Sequence, residues 1–464
     1  MSPTVETSSI PGLLVVRLDV HRDDRGWFEE FWQREQMTPL GLPDFTPVQA
    51  NVAWNAVRGT TRGLHAEPWD KLVTIPAGSA YGAWVDLREG DTFGTVFETE
   101  LGPGVSVFVP RGVANGYQTT ADATSCSYLV SDHWRPDASY TAVQATDPAL
   151  AIDWPVPPED RIVSDRDREA PLLADVQPVA TRTPLVLGAG GQVGRALLTA
   201  FPRARGVTRA ELDITDVAAL EGWPWREHDV VLNAAAYTAV DGAETPEGRR
   251  AAWSVNAEAP ARLAALASRH GFTLVQFSSD YVYDGSVVEH EEDEPLAPLG
   301  VYAQTKAAGD VAVAATPRHY VVRASWVVGD GANFVRTMAR LADEGSSPDV
   351  VDDQVGRLTF ADEVARATRH LVETRAAYGT YHVSNGGPSM SWAEVAAEVF
   401  RLRGRDPEDV RPVSTTEYAA GQVVAPRPTS STLSLRKLEA TGFEPAEAAE
   451  ALRAYVAGLP ASRP

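Results

Sequence analysis

A glycine-rich turn, Gly188-Ala-Gly-Gly-Gln-Val-Gly194, stands near the middle of the 464-residue sequence. It follows directly on Pro184-Leu-Val-Leu187, a short buried-strand pattern, and leads into Val193–Phe201, a helical run with Ala196, Leu197 and Leu198 on its apolar side. In that order of strand, turn and helix, the glycines permit a tight turn and the close approach of a pyrophosphate to the helix N-terminus. Gly188, Gly191, Gln192, Val193 and Gly194 are therefore candidate dinucleotide-binding residues. A nucleotide-binding domain normally begins with such a turn, so another complete domain is expected ahead of it.

The length fits two or three domains. A formal charge of −22 argues against a nucleic-acid partner, because neutralising phosphates needs a basic surface. Cys126 is the single cysteine, which rules out an intramolecular disulfide and reads as a small apolar filler rather than a nucleophile. The first nine residues carry no basic region, and Gly12-Leu-Leu-Val-Val16 is too short for a signal segment or a membrane span. The expectation is a cytoplasmic protein without a membrane partner.

From Leu13 to about Asp153 short apolar and aromatic runs such as Leu72–Ile75, Ala80–Val85, Val105–Val109 and Ser125–Val130 are broken by Gly, Pro and Asp. Such spacing favours an all-β sandwich or jelly-roll barrel. The nine histidines are scattered, with no His-x-His pair, so a barrel without a metal is expected. Arg62-Gly-Leu-His65 followed by Lys71 puts a histidine between two cations. That combination suits a base whose cationic neighbours stabilise an oxyanion, and it equally suits a surface histidine with two solvated charges.

Ordered pieces of this region resemble the dTDP-4-dehydrorhamnose 3,5-epimerase family: Asp23–Glu30, Gln49-Ala-Asn51, Arg62–His65, Lys71–Val73, Val85–Arg88, Thr92–Gly94, Pro110–Ala114 and Asp147–Pro155. The resemblance spans roughly residues 10–172 and implies a metal-free jelly roll of the cupin type that forms a homodimer. It implies His65 as base, oriented by Asp167 of Ser164-Asp-Arg-Asp167, with Tyr128 as proton donor on the opposite face of the sugar. Arg62 and Lys71 would meet the enolate charge that develops when a proton α to the C4 ketone leaves. Arg25, Glu30, Gln49 and Asn51 fall at matching positions for substrate binding, and Trp134 offers a ring to stack on a thymine. Three departures stand out: Asn115 where the family usually has histidine, Glu67 where it has glutamine, and His133-Trp134 where it has a tyrosine pair.

Beyond a polar junction, strand patterns at Val230–Leu232, Thr273–Phe277 and Tyr320–Arg323 alternate with helical segments, as in a doubly wound parallel sheet. Asn233-Ala-Ala-Ala-Tyr237 follows one strand, and its small residues, Ala234, Ala235 and Ala236, allow a cofactor to lie against the backbone. Asp213 and Ile214 lie about twenty residues past the turn, on the adenosine side. Arg209 is either a partner for a 2′-phosphate or an exposed arginine. Ser279 closes a strand, and Tyr302-Ala-Gln-Thr-Lys306 places its end residues one helical turn apart on one face. A lysine there favours the tyrosinate while the serine holds the substrate oxygen, so Ser279, Tyr302 and Lys306 are candidate catalytic residues.

Asn233–Asp241, Ser279–Gly285, Arg323–Gly329, Asn333-Phe334, Asp353–Arg357 and Arg427-Pro428 make this region similar to the dTDP-4-dehydrorhamnose reductase family, a short-chain dehydrogenase/reductase fold. The likeness implies NADPH or NADH as cofactor and Asp280, Tyr281, Trp326, Asn333 and Gln354 at the sugar-nucleotide site. The acidic run Glu289–Glu294 reads as a solvated loop, although some family members hold Mg2+ at acidic residues. Two domains are expected, a jelly roll over residues 1–178 and a Rossmann-like reductase over residues 179–464 with a smaller C-terminal substrate-binding part. Together they would epimerise dTDP-4-dehydro-6-deoxy-D-glucose at C3 and C5 and then reduce C4 on the way to dTDP-L-rhamnose or a related dTDP-6-deoxy-L-sugar. The alternative is a reductase joined to a domain that only binds or dimerises, or that inverts a single carbon.

Overall fold

A computed structural model describes residues 3–136, 138–421 and 424–460. The chain divides into two compact units, Met1–Thr181 and Arg182–Pro464.

The strands that matter in the first unit are β1 (Gln49–Asn55), β2 (Thr61–Ala66), β3 (Lys71–Ala77), β4 (Ala80–Asp86), β5 (Val113–Thr119) and β6 (Thr124–Val130). Within a six-stranded antiparallel sheet β3, β6 and β1 are successive neighbours, and β2, β5 and β4 are successive neighbours in a five-stranded one. Both sheets feed one core, in which Val73 and Ile75 of β3 meet Trp84 of β4 and Val113 and Tyr117 of β5. Full burial of each large apolar side chain contributes about 1.5–3 kcal/mol. Two antiparallel sheets closed face to face on alternating inward residues form a jelly roll.

Strands β2 and β5 approach closely at one point. A Cβ on Gly63 would lie 2.6 Å from the Asn115 carbonyl oxygen and 2.7 Å from the Gly116 Cα, and Gly63 has a φ of +105°. Glycine alone suits both demands. The approach sets His65 directly opposite Asn115 in the ladder.

In the second unit lie β7 (Leu185–Leu187), α1 (Gln192–Ala200), β8 (Arg205–Val207), β9 (Val230–Asn233), β10 (Thr273–Ser279), α2 (Val301–Ala314), β11 (His319–Ala324) and β12 (Gly379–Val383). The strands form one parallel sheet in the order β8-β7-β9-β10-β11-β12. Both faces are covered: Val186 and Leu232 pack with Leu197 of α1, while Leu185, Leu187 and Val231 pack with Leu263 and Leu266 of the crossover helix Ala259–His270. Strands β8 and β12 escape a reading by pattern, one because it is three residues long with a central glycine, the other because Thr380 and His382 interrupt its apolar run.

Strand order reverses between β7 and β9, and a ligand crevice opens at the carboxyl ends of the strands at such a switch point. The glycine turn leaves β7 there, beside Ala234 and Ala235 at the end of β9. A Cβ on Gly188 would lie 2.7 Å from the Ala235 nitrogen, and one on Gly194 2.9 Å from the Ala189 Cα. Gly194→Ala is therefore expected to cost about 1–3 kcal/mol of stability by overpacking and to weaken dinucleotide binding. Urea unfolding and an NADPH titration check this; an unchanged midpoint with unchanged affinity would count against it.

A separate core of Trp326, Val335, Met338, Val399 and Phe400 supports the smaller C-terminal part, where helices Phe334–Asp343 and Trp392–Leu402 pack together. Among the described residues no helix is long and apolar enough to cross a membrane.

Candidate active sites

Between β2, β3, β5 and β6 lies a cavity of about 270 Å³, lined by Arg62, His65, Lys71, Tyr128 and Asp167. His65 comes from the five-stranded sheet and Tyr128 from the six-stranded one, so they enter from the two layers. Asp167 arrives on the short helix Asp165–Arg168, whose cap is the Ser164 hydroxyl accepting from the Asp167 N–H at 3.2 Å. Its buried carboxylate accepts from His65 Nε2 at 2.8 Å and from the Gly63 N–H at 3.3 Å. A carboxylate on Nε2 makes that nitrogen the protonated one and leaves the Nδ1 lone pair as the base.

Burial draws the His65 imidazole below its ordinary value, Asp167 opposes this, and Lys71 and Arg166 reinforce it. A neutral imidazole at pH 7 results. Burial also pushes the Tyr128 phenol up, which keeps it protonated. Lys71 Nζ donates to Asn115 Oδ1 at 2.7 Å and lies 5.6 Å from the centre of the Tyr128 ring. Burial pulls the Lys71 ammonium down, to about 7, whereas the Glu67 carboxylate, in direct contact with it, favours the charged form.

Glu67, Asn115 and Arg166 also line the cavity. The period of two along a strand flags Glu67, two residues beyond His65, whereas Arg166 is visible only as part of Ser164–Asp167. The Cys126 thiol lines it too, and burial raises its pKa to about 11. Gln49 and Asn51, joined to each other at 3.0 Å, face Val130 and Tyr128 across the ladder but lie outside the cavity lining. Trp134 is 60% exposed, and its backbone N–H donates to Gln49 Oε1 at 3.0 Å. Arg25 sits in the exposed hairpin formed by Val20–Asp23 and Gly26–Glu29, paired with Asp23, and Glu30 follows it. One chain by itself does not bring Arg25 or Glu30 to the cavity.

In the second unit, Ser279 ends β10 and its Oγ donates to Asp280 Oδ1 at 2.8 Å. Tyr302 and Lys306 share one face of α2. Lys306 is 3% exposed, and its Nζ donates to the Phe277 carbonyl of β10 at 2.6 Å. Burial pulls its pKa down to about 8, against which Asp310, a further turn along α2, acts. Asp310 is itself paired with Arg323 of β11 at 2.9 Å in the interior. The sequence leads one to expect a lowered tyrosine; instead burial, with Asp280 and Tyr281, pushes Tyr302 up, and only the Ser279 hydroxyl opposes them. That state suits a proton donor. Tyr281 packs edge-on against Tyr302 at 6.2 Å, and burial raises the Asp280 carboxyl to about 6.

On the cofactor side, a Cβ added at Gly190 would meet nothing within 4 Å, so the turn is open above the N-terminus of α1. Gln192 Nε2 donates to the Ala332 carbonyl at 3.2 Å, and Val193 packs against the core beneath. Asp213 accepts from the Thr215 N–H at 2.9 Å and from Arg209 Nε at 3.0 Å, which holds its carboxyl low. Ile214 is buried among core residues.

Three residues expected at the sugar site also have structural partners. Trp326 stacks on Trp392 at 3.6 Å with a φ of +42°. Asn333 caps the helix Phe334–Asp343, accepting from the Arg336 N–H at 3.0 Å and donating to Tyr455 Oη at 2.8 Å. Gln354 donates to Thr415 Oγ1 at 3.0 Å. Four of the five carboxylates of the acidic run are engaged, Glu289 by Arg357, Glu291 by Arg436, Glu292 by the His382 N–H and Glu294 by His290, while Asp293 is exposed.

Comparison with known proteins matches residues 7–175 to the family described as dTDP-4-dehydrorhamnose 3,5-epimerase and residues 182–460 to the RmlD substrate binding domain. A protein named RmlC homolog from Streptococcus pyogenes is 45% identical over 181 residues, which are 38% of this chain and 91% of that protein. The dTDP-4-dehydrorhamnose reductase of Mycobacterium tuberculosis is 40% identical over 274 residues, 56% of this chain and 88% of that protein. A solved dTDP-4-dehydrorhamnose reductase from Bacillus anthracis, in complex with NADP, is 32% identical with a TM-score of 0.55, covering 60% of this chain and 98% of that one.

Proposed function

Since the chain belongs to the RmlD family through its second unit and to the dTDP-4-dehydrorhamnose 3,5-epimerase family through its first, we propose that it carries out two consecutive steps toward dTDP-L-rhamnose or a related dTDP-6-deoxy-L-sugar. The first unit inverts C3 and C5 of dTDP-4-dehydro-6-deoxy-D-glucose, and the second reduces the C4 ketone. The observation that carries the reading is the His65–Asp167 pair, 2.8 Å apart, with its carboxylate buried and Tyr128 entering from the facing sheet.

His65 Nδ1 removes the proton α to the ketone. Lys71 and Arg62 meet the enolate oxygen, and Tyr128 returns a proton from the opposite face, which is what inversion needs. In the second unit, the glycine turn and the N-terminus of α1 hold a dinucleotide pyrophosphate. Asp213 offers its carboxylate to a ribose 2′-hydroxyl and Arg209 its guanidinium to a 2′-phosphate, so the reading takes in both NADH and NADPH. When bound, the nicotinamide supplies the hydride for C4. Ser279 holds the ketone oxygen, Tyr302 protonates it and Lys306 supports Tyr302 with positive charge. No step is assigned to Mg2+, because four of the five carboxylates of Glu289–Glu294 are taken up by internal partners and the described residues hold no cluster of three candidate ligands. A homodimer belongs to the same reading, and the outward face of β1, with Val52 72% and Trp54 59% exposed, offers an apolar surface for it.

The test is to incubate the 4-keto sugar nucleotide with the protein in D₂O without reduced cofactor and to locate deuterium by NMR. Label at both C3 and C5, followed by conversion to dTDP-L-rhamnose when NADPH is added, is the expected result. Label at one carbon would point to a single-carbon epimerase, and no label would leave the first unit a binding module.

A further inference from the structure

We infer that Glu67 is a positioning residue of the first unit: its carboxylate, together with the Asn115 amide, holds Lys71 as an ammonium aimed into the cavity beside His65. The inference rests on reading that cavity as an epimerisation site.

Lys71 is one of three lysines in the chain, with Lys306 and Lys437. It is 6% exposed, and a buried amine without a counter-charge gives up its proton. The groups facing it come from every wall of the cavity: Glu67 just past β2, Asn115 from β5, Cys126 and Tyr128 from β6, and Arg62, His65, Arg166 and Asp167 around the remainder. Only Glu67 and Asp167 among these are carboxylates. Asp167 is committed to His65 and Gly63, so the negative charge at Lys71 falls to Glu67, which touches it. Asn115 accepts a hydrogen bond from Nζ and contributes direction rather than charge.

Two requirements at this site pull in opposite directions with pH. His65 must be neutral to act as base, which calls for a pH above its lowered value, while Lys71 must be charged to meet an enolate, which calls for a pH below its own. Burial, opposed only by the charge at Cys126, brings Lys71 down to about 7 and leaves little room between the two. Glu67 raises Lys71 and opens the interval in which both states coexist.

Glu67→Gln keeps the shape and removes the charge. With 13C-labelled lysine in the full chain only three side chains report, and Lys71→Arg identifies the Lys71 signal. In the parent, Lys71 is expected to stay protonated up to at least about pH 9, and in E67Q to titrate near or below about pH 7. Solvent deuterium exchange into the 4-keto sugar should reach a plateau above neutrality in the parent. In E67Q it should turn over and fall about tenfold per pH unit above 7, and Glu67→Asp should restore the plateau. A Lys71 signal that titrates at the same pH in E67Q and parent overturns the inference, as does a parent Lys71 that loses its proton near 7 with Glu67 in place. The second result decides the matter even if E67Q does not fold. Absence of exchange in the parent would refute the epimerase reading, while the lysine titration would still judge the ion pair.

Discussion

Tyr302→Phe is expected to lower ketone-dependent oxidation of NADPH by about 10²–10⁴-fold, the usual contribution of a positioned proton donor, while leaving deuterium exchange by the first unit unchanged. The substitution deletes one oxygen and leaves the partly buried ring in place, so the fold has little to lose. Burial keeps the Tyr302 phenol protonated, which is the form that can give a proton to the alkoxide formed at C4. Lys306 adds a pH dependence with a definite sign. Its ammonium is present below its pKa of about 8, so the reduction rate should decline as pH rises through that value. Stopped-flow measurement at saturating pre-epimerised substrate separates this from binding. Retention of more than a tenth of parental kcat in the phenylalanine variant would remove Tyr302 from the role of donor.

His65→Ala is expected to abolish deuterium incorporation at C3 and C5 by a similar factor, about 10²–10⁴-fold, and to spare reduction of substrate that has already been epimerised. Asp167→Asn should produce a large part of that loss with His65 still present, because an amide no longer requires Nε2 to carry the proton and the base loses its fixed tautomer. The pH profile makes the two distinguishable. Exchange needs the neutral imidazole, present above a pKa that burial places below the ordinary 6.5, so parental exchange should persist at neutrality and fade on the acid side of 6.5. Asp167 raises that pKa, and its replacement should therefore move the acid limb to still lower pH while the plateau drops. An Asp167→Asn variant with an unshifted limb and parental plateau would show that the carboxylate does not act on His65.

The parts of the sites that the sequence discloses are those joined by local geometry. Tyr302 and Lys306 fall on one face of α2 because a helix turns every 3.6 residues, and the glycine turn carries meaning because strand and helix flank it. Ser279 joins them from the end of a neighbouring strand. His65 and Asp167, 102 residues apart, are connected in sequence only by family resemblance, and the 2.8 Å contact between them belongs to the folded chain.

Other features have no local signature at all. The reach of Lys71 to Asn115 and the pairing of Asp310 with Arg323 join side chains on different elements. Asn333 and Trp326 occupy sites that the resemblance assigns to substrate, yet one caps a helix and the other stacks on Trp392. Arg25 lies on a hairpin and Glu30 just past it, both outside the cavity lining, although the motif that holds them is among the clearest in the sequence.

From the order of its residues alone, this chain is a jelly roll followed by a parallel α/β unit, with its candidate catalytic residue types in place: periodicity, turn chemistry and motif spacing are properties of neighbours along the backbone. Which of those side chains are charged, which way they point and which are already spent on holding the fold together was decided only when the sheets closed. Desolvation and through-space pairing depend on what surrounds a group in three dimensions, and the sheets bring together residues a hundred positions apart.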